Sequence, residues 1–481
     1  MIKIRPITNV LGILLIMLGF LMFSCLGFAL YFESDDVTAL LRAGSITTGA
    51  GALLSLYRKG NKTITKREGY LIVAIGWFAM VVFGALPYLL SGTTATFIDA
   101  LFESASGFTT TGATIFKDIE ALPQGILFWR STTQWIGGMG IIVLTVAIFP
   151  LLGIGGIELF VAESPGPTSD KIHPRITVTA RRLWYIYVGL TFTLITLMSL
   201  FGMSFYDAMN HGFTTMSTGG FSTKNNSIAA FSPSIQYLVT LFMFIAGANY
   251  TVIYFSLTGK FKRVWASSEF RAYVLLIFLL GVFITLILFA YNGLDFEYAF
   301  RTSLFQIVSL ITTTGYVTAD YTSWGTGMTV LFFALLFSGA CAGSTSGGIK
   351  LVRHLVFVKN SILEFKRILH PRALIRIKIN NEVVAPRILT HILVFLLIYL
   401  GLIVVGTIVV SAFGMDFTSA ISAVASAVGN VGPGIGSVGP MNTFAEVPAA
   451  AKAFLSFLML LGRLELFTIL VLFTPYFWKA S

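Results

Sequence analysis

Charge is scarce in this chain. Only 11% of its 481 residues are Asp, Glu, Lys or Arg, against 56% hydrophobic, whereas a soluble domain carries about 25% charged residues. That deficit excludes an ordinary soluble globule, and the chain reads as a polytopic membrane protein. Cysteine is nearly absent. The two present, Cys25 and Cys341, lie in apolar segments far apart in sequence, which excludes a disulfide framework and a cysteine-rich metal cluster. Histidine is also rare, five in all, and scattered. A membrane-embedded enzyme would need a His, Cys, Asp or Ser constellation at one depth, so the chain is read as no enzyme. The apolar run behind the start MIKIRPITNV is long enough to span and is not interrupted by a small-residue cleavage site, so it is kept as a first helix.

The net charge is +11. On a soluble protein that would suggest nucleic acid; here the location of the charges decides. Most of the 32 lysines and arginines fall at the termini or in alternate connections: Lys3 and Arg5, 58–67, 171–182, 260–271, 350–387 and Lys479. The intervening connections carry Glu33, Asp35, Asp36, Asp118, Glu120, Asp320 and Glu446. This is the positive-inside pattern, and it predicts both termini in the cytoplasm. Within 350–387, the stretch from Ile362 to Leu369 is helical and amphipathic in pattern. It suits the anionic inner leaflet or a cytosolic partner, or else is a solvated connector.

What the chain has in abundance is repetition. FTTTGAT at 108–114 returns as FTTMSTGGF at 213–221, ITTTGYV at 311–317 and VGNVGPG at 428–434. The shared glycines are taken as Gly112, Gly219, Gly315 and Gly432, about a hundred residues apart, a period that signals a repeated architectural unit. Each motif follows an apolar segment of about a dozen residues, too short to cross a bilayer that needs about 20. Each such segment sits between two full spans. The expected fold is all-α: two leading helices at 8–31 and 37–57, then four helix–half-helix–loop–helix repeats. The half-helices are 97–108, 205–216, 296–310 and 417–427; Asp99 is expected to cap the first. Expected units are 1–66, 67–165, 166–262, 263–380 and 381–481. All four repeats start and end on one side, so they are parallel and can close around an axis normal to the membrane.

Irregular backbone at membrane depth is tolerated only where it is buried in protein or lines a watery cavity. Rings of backbone carbonyls can replace the hydration shell of a cation, and glycine supplies the backbone angles needed to aim successive carbonyls at one axis. The candidate ion-binding residues are therefore Thr110, Thr111, Gly112, Ser217, Thr218, Gly219, Thr313, Thr314, Gly315, Asn430, Val431 and Gly432. The half-helices end at the loops, so their C-terminal partial negative charge favours a cation. Arg130 and Arg301, near the outer helix ends, are candidate anchors. Glu103, Asn210 and Gln306, each nine positions before a shared glycine, are candidate braces; His211 reads as structural.

With these motifs, together with TQWIGGMG at 133–140, GACAGSTSGGIK at 339–350 and GNVGPG at 429–434, the chain resembles the Trk/Ktr/HKT superfamily of potassium transporters over essentially its whole length. The two leading helices favour the pore-forming subunit of the bacterial Trk type over the shorter Ktr type. The resemblance implies a multi-pass protein of the bacterial inner membrane, a homodimer with one pore per subunit, and a cytosolic nucleotide-binding regulatory ring of the TrkA type. It also implies potassium as the transported ion, because glycine stands at all four filter positions. No organic cofactor is expected.

Two features suggest a gate. The stretch 338–348, rich in Gly, Ser and Thr, sits where a mid-span helix belongs. Glycine weakens helix, and Ser and Thr offer the backbone other partners. A break is expected there, the alternative being a tightly packed Gly/Ser helix. Gly137-Gly138-Met139-Gly140, Gly247-Ala248-Asn249 and Gly462-Arg463-Leu464-Glu465 weaken or decorate the other repeats at equal depth. Arg463 is a cation in mid-span, which usually faces a cavity or a partner. Glu465, two residues on, points to a different helix face. The candidate gate is Arg463 with Gly343, Ser344, Thr345, Gly347 and Gly348; in the family, this segment obstructs the cytoplasmic side of the filter. The competing reading is a proton- or sodium-coupled carrier using Glu465. It ranks second because many carriers show inverted repeats and these are parallel.

Overall fold

The computed structural model describes residues 4–56, 65–143, 176–373, 375–380 and 382–479. Lys3, the basic stretch 58–64, and residues 144–175 at the junction of the first two expected repeats lie outside them. Two long antiparallel helices, α1 (Ile4–Tyr31) and α2 (Val37–Ser55), come first. They meet through glycines: a Cβ on Gly51 would lie 2.7 Å from the Gly12 carbonyl oxygen and 2.7 Å from the Ile16 nitrogen. Small residues let helix backbones approach this closely in an apolar medium. Asp36, in the turn between them, accepts a 2.6 Å bond from the backbone N–H of Ile126. A carboxylate there complements the N-terminus of α6 (Gln124–Val143) and docks the hairpin onto the rest.

The remaining helices follow one order four times. First come α3 (Lys66–Gly84) with α4 (Leu86–Leu90), then the short α5 (Phe97–Phe108), then α6. Next are α7 (Ile176–Leu200), α8 (Phe205–Met216), and α9 (Pro233–Gly247) with α10 (Tyr250–Leu257). After α11 (Phe261–Ala266) come α12 (Ser268–Ala290), α13 (Phe296–Ile311), α14 (Thr326–Leu335) and α15 (Leu351–Leu369). A two-stranded antiparallel hairpin, β1 (Lys378–Ile379) and β2 (Glu382–Val383), leads to α16 (Pro386–Ala412). The last set is α16, α17 (Phe417–Gly429), and α18 (Ala449–Arg463) with α19 (Phe467–Leu470); α20 (Pro475–Trp478) ends the chain.

Among the described residues six helices are long and apolar enough to cross a membrane, or up to eight if each bent pair counts as one span. The ten continuous spans expected from sequence are therefore not all realised as single helices. The α9/α10 pair bends by 110° at Ala248 and Asn249, and the chain bends by 107° after Arg463. The third copy is interrupted altogether between Leu335 and Leu351. The first copy differs: α6 runs unbroken through Gly137–Gly140. There glycine does not weaken the helix but admits a close neighbour, since a Cβ on Gly137 would run into the carbonyl of Phe108.

Burial is inside-out relative to a soluble protein. The long helices turn Phe278, Leu279, Phe283 and Leu286 on α12, and Leu397, Leu400, Val404 and Ile408 on α16, to the outside. Apolar surface this extensive belongs against lipid. The C-terminal halves of the four short helices are buried at the centre, polar side chains included: Ser104 and Ser106, Thr214 and Thr215, Gln306 and Ser309, Ser422 and Ser426. Their first turns are capped by Thr96, Ser204, Asp295 and Asp416. Asp99 is not the cap of α5. It sits in the first turn, where its N–H bonds to Thr96 and its carboxylate accepts from Lys452 at 2.7 Å.

The Gly12–Gly51 contact is testable. Gly51→Leu should destabilise the protein by about 1–3 kcal/mol through overpacking, read as a lower melting temperature in detergent. Unchanged melting would show that α1 and α2 are not closely seated.

Candidate functional site

All four short helices end in the same way. After α5, Thr110 N–H bonds to the Gly107 carbonyl and Thr111 N–H to Ser106; the equivalent pairs are Thr218 to Thr215 with Gly219 to Thr214, Thr313 to Leu310 with Thr314 to Ser309, and Asn430 to Ala427 with Val431 to Ser426. This double bond pattern needs a left-handed residue at its turn. Thr110, Thr218, Thr313 and Asn430 fill that position with φ of +52°, +55°, +56° and +51°. Asparagine tolerates it. For β-branched threonine it is a strained conformation costing roughly 1–3 kcal/mol. Two residues further on, each segment has a glycine at positive φ: Gly112 (+84°), Gly220 (+78°), Gly315 (+77°) and Gly432 (+102°).

These four glycines close a ring. A Cβ on Gly112 would collide with the Gly219 carbonyl oxygen, on Gly220 with that of Thr314, on Gly315 with that of Val431, and on Gly432 with that of Thr111. Each segment thus touches the next in chain order and the fourth returns to the first. The same four glycines line one vestibule of about 100 Å³ that continues past Ser222, Lys224, Pro433 and Thr443. Among the described residues no hydrogen bond reaches the carbonyl oxygens of Thr110, Thr218, Thr313 or Asn430, although these residues are at most 1% exposed. Buried carbonyls without donors are costly in a dry interior. A dehydrated cation is the chemical species that satisfies them.

The geometry corrects the sequence register in the second repeat. Gly219 is not the counterpart of Gly112; Gly220 is, and Gly219 matches Thr111. The three matching positions there are Thr218, Gly219 and Gly220, and Ser217 takes the place of Thr109 at the helix end. Two consecutive glycines hide the shift. A hydroxyl two residues beyond the glycine, Thr114 after Gly112 and Ser222 after Gly220, is the signal that carries it. The braces shift accordingly. Glu103 accepts from Thr114 and from the N–H of Ile115, and its partner by position is His211, not Asn210. Nδ1 of His211 donates to the Asp207 carbonyl, and its Nε2 lies 2.9 Å from the Ser222 hydroxyl. Asn210 instead bonds Ser131 of α6. Gln306 reaches the Ala319 carbonyl.

Arg130 holds the first two segments together. Its Nε pairs with Glu103 at 2.8 Å, Nη1 donates to the Ser222 carbonyl, and the guanidinium lies 4.1 Å from the Phe221 ring centroid. Arg301 pairs with Glu297 and Gln236. Gln134, unremarked in its motif, donates to the Gly219 carbonyl at 2.7 Å and accepts from Phe221 N–H at 3.0 Å.

On the helix-end side of the ring lies the irregular segment between α14 and α15. Its base is pinched by bonds from Gly339 N–H to Ile349 and from Leu351 N–H to Ala340. Its turns use Gly343 (φ +71°) and Gly348 (φ +65°). Ser344, Thr345 and Ser346 are buried. Thr345 donates to the Met216 carbonyl, and Gly347 N–H bonds at 2.6 Å to the hydroxyl of Thr313 in the ring. Arg463 ties the segment to α6: Nη1 donates to the Thr345 carbonyl at 2.8 Å and Nη2 to the Gly137 carbonyl at 3.0 Å. Glu465 pairs with Arg353 rather than Arg463.

The corrected register separates two neighbouring glycines. Gly220→Ala forces a Cβ at positive φ into the Thr314 backbone and should abolish cation flux in proteoliposomes. Gly219→Ala meets the Gln134 side chain and should leave measurable flux. Equal tolerance of both would overturn the register.

The family described as TrkH, cation transport protein, matches residues 38–479. The Trk system potassium uptake protein TrkH of Escherichia coli (strain K12) is 40% identical over 99% of both chains. TrkG of the same strain is 35% identical, again over 99% of each. The solved structure of the potassium transporter TrkH from Vibrio parahaemolyticus superposes with a TM-score of 0.91 at 36% identity, covering 99% of this chain and 100% of that one. This all-α, multi-pass membrane chain therefore belongs to the TrkH family of cation transport proteins, which are transporters and not enzymes.

Proposed function

We propose that the chain carries potassium inward across the bacterial inner membrane, with the glycine ring as its selectivity filter. The observation behind this reading is the closed ring of four left-handed turns whose buried carbonyls lack donors. The relatives named as potassium uptake proteins supply the ion. The filter residues are Thr110, Thr111 and Gly112; Thr218, Gly219 and Gly220; Thr313, Thr314 and Gly315; Asn430, Val431 and Gly432. The four repeats correspond to units 67–165, 166–262, 263–380 and 381–481, after the appendage 1–66. Both termini and the basic connections face the cytoplasm, where a TrkA-type nucleotide-binding ring docks, and the working assembly is a homodimer.

The gate is the 339–348 segment with Arg463. Thr345, tied to Arg463 and Met216, crosses the path below the filter, and the guanidinium adds a fixed positive charge to the obstruction. The coupled-carrier reading finds less support, because its candidate carboxylate, Glu465, is engaged by Arg353.

Two variants test this reading in proteoliposomes holding the chain alone. Gly112→Ser should lower the potassium-over-sodium preference. A preference that ignores Gly112 while flux demands a proton gradient would favour the carrier. Arg463→Ala should raise potassium flux roughly tenfold or more, since one fixed charge in a low-dielectric path shifts a barrier by more than about 1.4 kcal/mol. Flux at the wild-type level would remove Arg463 from the gate.

A further inference from the structure

Glu269 stands outside both the ring and the gate residues named above, yet its geometry bears on the gate. It is the second residue of α12 and 1% exposed. One of its carboxylate oxygens accepts two backbone N–H groups, from Ala342 at 2.8 Å and from Val352 at 3.0 Å. Those residues flank the turns of the irregular segment. Ala342 lies within it, next to the turn at Gly343, and Val352 lies in the first turn of α15, just beyond its end.

The chemistry of the position explains why a carboxylate stands there. First-turn N–H groups of a helix have no partner within the helix, and Lys350, the residue preceding α15, gives no side-chain cap. Glu269 supplies the missing acceptor from another helix. It also occupies the first turn of its own helix, so two helix N-termini favour its negative charge. Hydrogen bonds to an ionised acceptor are about twice as strong as neutral ones. The same end of α12 is tied to the hairpin connection, because Asn380 Oδ1 accepts from Ser268 N–H at 2.7 Å. Lys350, between the two bonds of Glu269, turns its ammonium back onto the carbonyl and hydroxyl of Ser346.

We infer that Glu269 is a positioning residue of the gate: its carboxylate ties the irregular segment at Ala342 to the first turn of α15 and so holds the segment across the path, and the segment leaves the path when this clamp releases. The inference rests on the pore reading above and adds a mechanical link. A displacement of α15 that breaks either bond of this carboxylate frees the segment at Ala342.

The test uses the full chain in proteoliposomes, with Glu269→Ala and Glu269→Gln. Three readouts are taken: potassium flux, potassium-over-sodium preference, and the rate at which a small thiol reagent modifies Cys341, the buried native cysteine at the segment's base, with Cys25→Ser as background. Glu269→Ala should raise flux about tenfold and quicken Cys341 modification comparably, the scale of one lost charge-assisted bond, while the ion preference stays at the wild-type value. Glu269→Gln keeps the shape and an acceptor but not the charge, and should fall in between. Combined with Arg463→Ala, the effect should be less than the product of the two, because both release the same element. A folded Glu269→Ala protein with wild-type flux and protected Cys341 overturns the clamp. Should that variant fail to fold, Glu269→Gln decides by the same readouts: faster modification supports the clamp, and no change in either rate overturns it. Failure of the pore reading shows separately, as indifference of the ion preference to Gly112→Ser, and Cys341 then decides the clamp alone.

Discussion

The structure depends on one constraint: backbone carbonyls held without donors in a low-dielectric interior. Within the described helices, backbone polar groups pair with one another, as a membrane demands. At four places, just past Phe108, Met216, Ile311 and Gly429, the helix stops and the chain turns left-handed, and each turn's glycine packs against a carbonyl of the next segment. Three of the four turns are made by threonine, at a conformational cost that only surrounding structure can impose. The double hydrogen bonds at each helix end, the contact of every ring glycine with the next segment's carbonyl, and the buried packing of the half-helices together overdetermine it.

The fourfold symmetry is a property of the backbone only. Behind the first segment stands a buried Glu103–Arg130 pair, behind the second a histidine and Gln134, behind the third Gln306, and behind the fourth Ser422 and Ser426, which bond Ile435 and Gly432. A buried ion pair is costly to break on one side, and Arg130 extends this one to the second segment through the Ser222 carbonyl. On the helix-end side the symmetry is broken further. Among the described residues the third repeat sends its irregular segment against the ring, and the second and fourth repeats bend where they bond to it, at Gly247–Tyr250 and at Arg463.

Much of this was legible in the sequence, for physical reasons. The half-helices are visible because a dozen apolar residues cannot cross a bilayer, and the break near Gly343 because Gly, Ser and Thr accumulate where leucine would be expected. The register of the second segment was not legible, because Gly219 and Gly220 are chemically identical and only their φ angles tell them apart. The role of His211 followed from that slip. Gly137–Gly140 read as helix-weakening, whereas its use is proximity: a neighbour's carbonyl occupies the space a side chain would fill. Glu269 could not be singled out, since its partners are backbone groups of residues more than seventy positions away, and backbone leaves no trace in composition.

Arg463 shows how the chain keeps a buried charge available. Glu465 lies only two residues away, and a regular helix would already have turned it to another face. The structure goes further. The helix ends at Arg463, and the chain reverses through Glu465 (φ +56°) and Leu466 (φ +53°). That reversal delivers the carboxylate to Arg353, which also lies 3.9 Å from the Phe395 ring centroid. Arg463 is left with two carbonyl acceptors, and its Nε has no partner among the described residues. A guanidinium satisfied by neutral oxygens keeps its full field, whereas one neutralised by a carboxylate would present little barrier to a cation. Strained backbone at Glu465 and Leu466 is thus the structural cost of keeping acid and base apart.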